Sequence, residues 1–498
     1  GDVYKRQNLV LQFFSRKVFL DYLGAEVLGL NTTAQNLIGF LNLAELGIGS
    51  AIAFTLYKPL HEKNTQVINE IVSVQGWLYR RVAYIVIAGA CILMFFFPLI
   101  FAKAQVPLWY TYGSFIVLLV STLLGYFVNY RQIVLTADQK EYKITLNIQG
   151  FKVIKVLLQI LAISYLSNGY VYWMILELGM SVITAIVLDK LLKKEYPWLK
   201  TISSEGGRLR KKYPEIITKT KQVFYHQVAT IVLAQTSPLI IYAYASLTLV
   251  AVYGNYMLIV TGVSLLMDAL LRGINAGVGS LVAEGESKRI KDVFWELTSL
   301  RMWLASIACF GIYKFSHSFI TLWVDGEFVL EHHAFVVLLL IAFINMTRTN
   351  DTFLAAYGLF QDVWAPLTEA GLNLVLSILL GYFYGLIGIL FGVLISMLLI
   401  VCGWKPFFLY KCGFHEGVGE YVVGYLKYVI LIIISFVCIS ALTDHLFVLP
   451  IYSYATWGWL VFRVLSFYTL SSFLLFAIVD KSFRRWIIRI MMLFGYNK

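Results

Sequence analysis

Ionisable side chains in the middle of long apolar runs are the residues of this sequence whose chemistry calls for explanation. Arg16 and Lys17, Glu45, Glu177, Asp268 and Arg272, Arg301, Glu369 and Arg463 all sit inside such runs, with Arg348 and Asp351 toward the end of another. An ionised group at a bilayer centre costs roughly 2.5–3.5 kcal/mol, so each needs a partner, a proton or a wet cavity. The adjacent cations Arg16 and Lys17 point to helix faces about 100° apart, so at least one should meet water, an acid or a ligand. Asp268 and Arg272, four apart on one helical face, either neutralise each other or serve separately. Arg301 and Arg463 either snorkel to an interface or face a cavity. Glu45, Glu177 and Glu369 are either protonated structural groups or residues of coupling and gating, as is Asp268. Gln235, Thr236 and Ser237 precede Pro238 in a polar run, which predicts a mid-membrane kink. Four cations, Arg16, Lys17, Arg272 and Arg301, would make a positive cavity suited to a phosphate or diphosphate, which arginine holds through paired donors.

The elements that position these residues are read from composition. Of 498 residues, 59% are hydrophobic and 14% charged, against about 45–50% and about 25% in soluble proteins. This excludes a soluble globular protein and predicts an all-α polytopic membrane protein. Apolar runs of about 17–25 residues are centred near residues 16, 43, 92, 121, 157, 180, 233, 261, 305, 343, 374, 398, 433 and 467, fourteen in all. No insert is long enough for a nucleotide-binding domain, and no Gly-rich loop ends in Lys-Ser or Lys-Thr. The five cysteines show no paired or zinc-ligand spacing, so neither a disulfide, a metal nor a cofactor is expected. Residues 1–7 resemble translated adapter sequence and are set aside from fold reasoning.

Alternate connections, with the C-terminal tail, hold 31 of the 40 Lys and Arg residues, ten of them between Lys190 and Lys221. The other set holds only Lys103 and Lys314. Basic residues mark the cytoplasmic side, so both termini are expected inside. The net charge of +12 is this bias, and no nucleic-acid role is inferred. The tail, Lys481 to Gly495, interleaves Arg484, Arg485 and Arg489 with Trp486, Ile487, Ile488 and Met491, the pattern of a basic amphipathic helix on the inner leaflet.

Two weak echoes suggest duplication. Glu45 to Ala51 matches Arg272 to Gly277, and Leu135-Thr136-Ala137 matches Leu354-Ala355-Ala356, at nearly equal offsets. Six spans per copy would relate the halves about the membrane normal. The expected organisation is an N-terminal lobe (8–195), a basic linker (196–221), a C-terminal lobe (222–412), two further spans (413–480) and a basic tail (481–498). Gly47 with Ala51, Gly273 with Gly277 and Gly388 with Gly392 predict close helix approach.

The stretch from Ser15 to Leu60, SRKVFLDYLGAEVLGLNTTAQNLIGFLNLAELGIGSAIAFTLYKPL, closely resembles the opening of bacterial polysaccharide-unit flippases of the O-antigen and capsule exporter type. These belong to the multidrug, oligosaccharidyl-lipid and polysaccharide exporter superfamily. TADQKEYKITLNIQG from Thr136, LWVDGE from Leu322, and the Gly-Leu-Phe, Asn-Leu-Val-Leu-Ser and Gly-Leu-Ile-Gly elements between Ala356 and Ser396 add to the resemblance. It implies two six-helix lobes plus two C-terminal helices in the bacterial cytoplasmic membrane. It implies transfer of an undecaprenyl-diphosphate-linked oligosaccharide from the inner to the outer leaflet by alternating access. Membrane lipids, a glycan polymerase and the chain-length machinery are its implied partners. It also implies cavity-lining arginines at Arg16 and Arg272; Lys17 and Arg301 rest on the charge argument alone. The acidic residue that couples cations in drug-exporting relatives has only Asp21 near it. Two alternatives remain: a cation-coupled drug antiporter of the same superfamily, and, from another class, a membrane glycan polymerase or ligase. The short external connections and the bare setting of His332 and His333 argue against catalysis.

Overall fold

The structure, a computed structural model, describes residues 2–359, 362, 364–447 and 453–493. The side chains of residues 2–6, 222, 225, 226, 230, 272–276 and 493 lie outside that description. Every described element is helical. The chain folds as two units, Gly1–Gly254 and Asn255–Lys498, with the boundary inside one helix.

The first unit contains α1 (Asp2–Leu41), α2 (Ile48–His61), α3 (Thr65–Ile100), α4 (Leu108–Phe127), α5 (Ile133–Ala137), α6 (Glu141–Tyr165), α7 (Gly169–Glu195), α8 (Gly206–Leu209), α9 (Pro214–Tyr244) and the start of α10 (Leu247–Glu284). The second contains the rest of α10, then α11 (Ser287–Trp323), α12 (His332–Met346), α13 (Thr349–Ala356), α14 (Trp364–Met397), α15 (Lys405–Leu409), α16 (Gly419–Leu446), α17 (Tyr454–Val479) and α18 (Lys481–Leu493). Two π-helical segments, Leu398–Trp404 and Tyr410–Phe414, flank α15. Local signals set several starts: Asn64 accepts from the Val67 N–H at 3.1 Å before α3, and Ser453 and Thr456 form a reciprocal capping box before α17.

Among the described residues, ten helices are long and apolar enough to cross a membrane, and the pair Gln7–Glu45 with Ile48–His61, bent by 43°, makes eleven. The chain is therefore a multi-pass membrane protein. Fourteen spans are expected from the sequence; the difference lies at α9, which is not among the helices so counted, and at the helices that continue across Gly24 and Gly385. Gly24 interrupts α1 at φ 83°, and Gly385 interrupts α14 at φ 60°, backbone conformations open to glycine.

The break at Gly385 folds α14 back on itself. A Cβ on Gly388 would lie 2.0 Å from the Leu380 carbonyl oxygen, one on Gly392 2.4 Å from the Ser377 nitrogen, and Ser377 donates to the Ile389 carbonyl at 3.0 Å. The close approach expected from this glycine pair is present. Gly47 likewise presses on the Thr220 carbonyl of α9, 2.5 Å from where its Cβ would stand. For Gly277, nothing among the described residues lies within 4 Å of a Cβ, and Gly273, with which the sequence pairs it, lies outside the described residues.

Each unit has an apolar interior of its own. Phe97 and Phe115 pack with ring centroids 5.0 Å apart in the first, and Phe310 stacks on Tyr468 at 3.9 Å in the second. Outward-facing Phe95 and Leu99 are about three-quarters exposed, at 76% and 75%, surface that a bilayer would cover.

The tail forms the predicted amphipathic helix, but its basic face is already engaged. On α18, Arg485 pairs with Asp292 at 2.5 Å and Arg489 with Glu296 at 3.1 Å, both on α11. Phe483 packs among Trp303, Phe473 and Phe476. The helix is thus part of the second unit's core, and removing it would bare a Glu296 side chain that is only 5% exposed.

Candidate functional site

The charged residues singled out by the sequence fall into separate clusters, each inside one unit. On α1, Arg16 donates from Nη2 to the Ala251 carbonyl of α10 at 2.8 Å. Gly254 makes room for it, since a Cβ there would come within 2.4 Å of Nη2. Further along, Gly29 brings α1 and α10 together so closely that a Cβ would stand 1.9 Å from the Leu247 carbonyl oxygen. Lys17 points elsewhere and pairs with Asp21 at 3.2 Å, both more than a third exposed. The two adjacent cations thus divide as the helix geometry requires, and Asp21 is a surface partner of Lys17.

Glu177 on α7 is buried and answered from α6, by Lys155 at 2.6 Å and by Gln159 at 2.9 Å. Lys155 is not among the intramembrane cations that the sequence singles out. Ten residues of α6 still follow it, up to Tyr165. The pair is mutually neutralising, and losing either partner alone would strand a charge in a poorly solvated place.

In the second unit, Arg301 on α11 is 8% exposed and donates to Thr352 Oγ1 on α13 at 3.1 Å, with Asp268 and Asp351 supplying negative charge around it. Asp268 therefore faces a cation other than the Arg272 four residues on. Arg272 itself lies on α10, but its side chain is outside the described residues. Buried Glu369 on α14 meets Arg348 at 3.4 Å, and Arg348 and Lys405 share Asp351 at 3.7 and 2.7 Å. Arg463 is half-buried with its guanidinium 5.0 Å from the Phe447 ring centroid. Helix α9 continues through Pro238, with Thr236 and Ser237 buried beside it.

Three of the four acids considered for coupling therefore stand near cations. Glu45 does not, among the described residues. It ends the 3₁₀ turn Asn42–Glu45, where the second span is broken, and accepts from the Tyr79 hydroxyl at 3.0 Å.

A second group that the sequence does not single out is Asp480, between α17 and α18. It is buried, and accepts from Lys427 at 2.6 Å, Ser299 at 2.7 Å, Tyr428 at 3.2 Å and the Phe483 N–H at 2.8 Å. Burial acts to raise its pKa, but these donors more than offset it and hold the carboxyl below the usual range. Its place at the edge of an apolar run gives no signal beyond an ordinary helix boundary.

No protein-family model matches this sequence, and no curated protein sequence does. Among solved structures, the lipid II flippase MurJ in an inward closed conformation matches with a TM-score of 0.65, over 95% of this chain and 98% of that one, at 16% identity. A multidrug resistance MATE family transporter of the MOP superfamily, inward-facing, matches with a TM-score of 0.61, over 81% of this chain and 96% of that one, at 13% identity. The chain has their fold. The expected all-α, polytopic architecture is thus established.

Proposed function

We propose that this chain belongs to the superfamily shared by those transporters and flips an undecaprenyl-diphosphate-linked oligosaccharide from the inner to the outer leaflet of a bacterial cytoplasmic membrane, for surface polysaccharide synthesis. The observation that carries the reading is the span of the fold match. The flippase likeness covers 95% of the chain and the drug-transporter likeness 81%. The difference, about 70 residues, is what a two-helix extension such as α16 with α17 amounts to. A hydrophobic polyprenyl substrate has use for additional helix surface that a small drug does not require.

The cations support the same reading. Arg16 is held on α10 by a backbone carbonyl, its guanidinium packed against Gly254. Arg272 belongs to the later part of α10. In this account both arginines take the diphosphate in the course of transfer, while Arg301, held by Thr352 near Asp268 and Asp351, orders the second unit. A diphosphate carries about two negative charges, and each gains about 2.3 kcal/mol per 100 mV on moving outward from a negative interior. Membrane potential alone could therefore supply roughly 4–5 kcal/mol.

The competing reading is a cation-coupled drug antiporter, favoured by the second structural likeness. Ligand binding separates the two. The purified chain in nanodiscs is expected to gain thermal stability with a short-chain polyprenyl-diphosphate sugar and to show no gain with lipophilic cations. Stabilisation by the cations alone would transfer the argument to the antiporter.

A further inference from the structure

Helices α11 and α18 lie side by side in the second unit and run in the same direction, held by a ladder of charges. Arg485 meets Asp292 and, one turn on, Arg489 meets Glu296, each pair 193 residues apart in sequence. The next rung toward the starts of both helices has the same separation, and by this register it sets Lys288 opposite Lys481. Two cations stand where the ladder elsewhere has an ion pair, and neither ammonium has a partner among the described residues.

Both lysines line a cavity of about 1040 Å³. The carboxylates that line it are already answered: Asp292 by Arg485, Asp480 by Lys427, and Glu416 with Glu420 by Lys291. The first turns of three helices also meet the cavity, α11 from Ser287, α16 from Gly419 and α18 from Lys481. No side chain caps α11 or α16, so their first N–H groups add partial positive charge at this end. An independent donor stands in the wall. Trp295 is 9% exposed, and its buried indole N–H has no acceptor among the described residues. A buried donor without an acceptor is costly. The lysine pair, the helix starts and the indole N–H together suit an anion with several oxygens, which a phosphate group supplies.

The level of the cavity along the helices points to the source of that phosphate. Helix α11 has 37 residues, about 55 Å at about 1.5 Å per residue, against about 40–45 Å for a bilayer with its headgroups. Its first turns therefore reach the headgroup level, where α16 begins and α17 ends. Val423 and Val479 line the cavity and are exposed. From them run exposed apolar stripes, Leu426, Ile430 and Ile433 on α16 and Ile478 and Leu474 on α17, surface on which acyl chains can lie. We propose that this cavity binds the phosphate of an anionic phospholipid between Lys288 and Lys481, with the lipid's chains along α16 and α17. The site needs only the membrane fold and does not rest on the transport reading.

The test uses the full chain in phosphatidylcholine nanodiscs doped with phosphatidylglycerol, and native mass spectrometry counts the lipids that stay bound on release. The wild type is expected to retain one phosphatidylglycerol about tenfold more tightly than phosphatidylcholine, and Lys288→Ala or Lys481→Ala should remove most of that preference. Lys481→Glu is the sharpest variant, because it turns the third rung into an ion pair like the other two. It should lose the lipid while unfolding at the wild-type temperature or above. Arg484→Ala removes the same charge from an exposed position outside the cavity lining and should leave retention unchanged. Inorganic phosphate added to pure phosphatidylcholine nanodiscs separates the two sources, and it should raise the unfolding temperature far less than phosphatidylglycerol does. Equal retention of both lipids, a lipid still held by Lys481→Glu, or an equal loss in Arg484→Ala overturns the proposal. Stabilisation by inorganic phosphate with none by phosphatidylglycerol overturns the lipid as the source.

Discussion

Arg272→Ala should abolish complementation of a flippase-deficient strain while leaving the protein at normal abundance in the membrane. If the guanidinium grips a diphosphate through paired donors, its removal forfeits about 1.5–3 kcal/mol per charge-assisted contact, or about ten- to hundredfold in affinity. Arg272→Lys should recover only part of the function, because a point charge replaces a fork that matches phosphate oxygens. The rival role is neutralisation of Asp268. In that case Arg272→Ala strands a carboxylate, and Asp268→Ala combined with Arg272→Ala should restore activity. Since Asp268 contributes negative charge at Arg301, the double variant is expected to stay inactive. Rescue would replace the substrate-binding role with an ion pair.

Asp480→Ala should be the most damaging single change to the second unit. It removes the shared acceptor of Lys427, Ser299, Tyr428 and the Phe483 N–H, tying α11, α16 and α18 together. Because Lys427 keeps 40% exposure it can partly rehydrate, so the cost is set at roughly 2–4 kcal/mol and the fall in Tm at about 5–15 °C. Asp480→Asn, which keeps an acceptor but not the charge, should fall between. The acid dependence has a fixed sign. The folded pKa is depressed, so the contribution is complete above the unfolded carboxyl value of about 3.9 and is lost as pH falls through the folded value. Unfolding followed by tryptophan fluorescence in detergent should therefore show a wild-type loss of stability on acidification that Asp480→Ala lacks.

Apolar runs made the helices legible, and small-residue spacing made the packing of Gly388 and Gly392 legible, because both depend on residues near one another in sequence. The break in the second span was not, since Leu43, Ala44, Leu46 and Gly47 are as apolar as the helices on either side and hydropathy does not register a turn. Lys155 is hidden because a basic residue near a span end reads as an ordinary flank, and its partner Glu177 lies on the next helix. The tail arginines illustrate the same limit. Their spacing declares a basic amphipathic helix, whereas Asp292 and Glu296, which hold Arg485 and Arg489, are 193 residues away in sequence. Of the expected cavity cations, Lys17 is drawn to Asp21 because an acid four residues on shares its face. Arg16 has Leu20 at that spacing and reaches a backbone carbonyl on α10 instead.

The central claim, transfer of a lipid-linked diphosphate between leaflets, is tested most directly in proteoliposomes carrying a fluorescent polyprenyl-diphosphate oligosaccharide. An impermeant glycosidase outside cleaves whatever reaches the outer leaflet, with and without an interior-negative potential set by valinomycin. The account predicts transfer well above that of protein-free vesicles, faster with the interior negative, and lost with Arg272→Ala. Transfer no faster than in protein-free vesicles, by a folded chain that exchanges a cationic drug for Na⁺ or H⁺ under the same conditions, would contradict it.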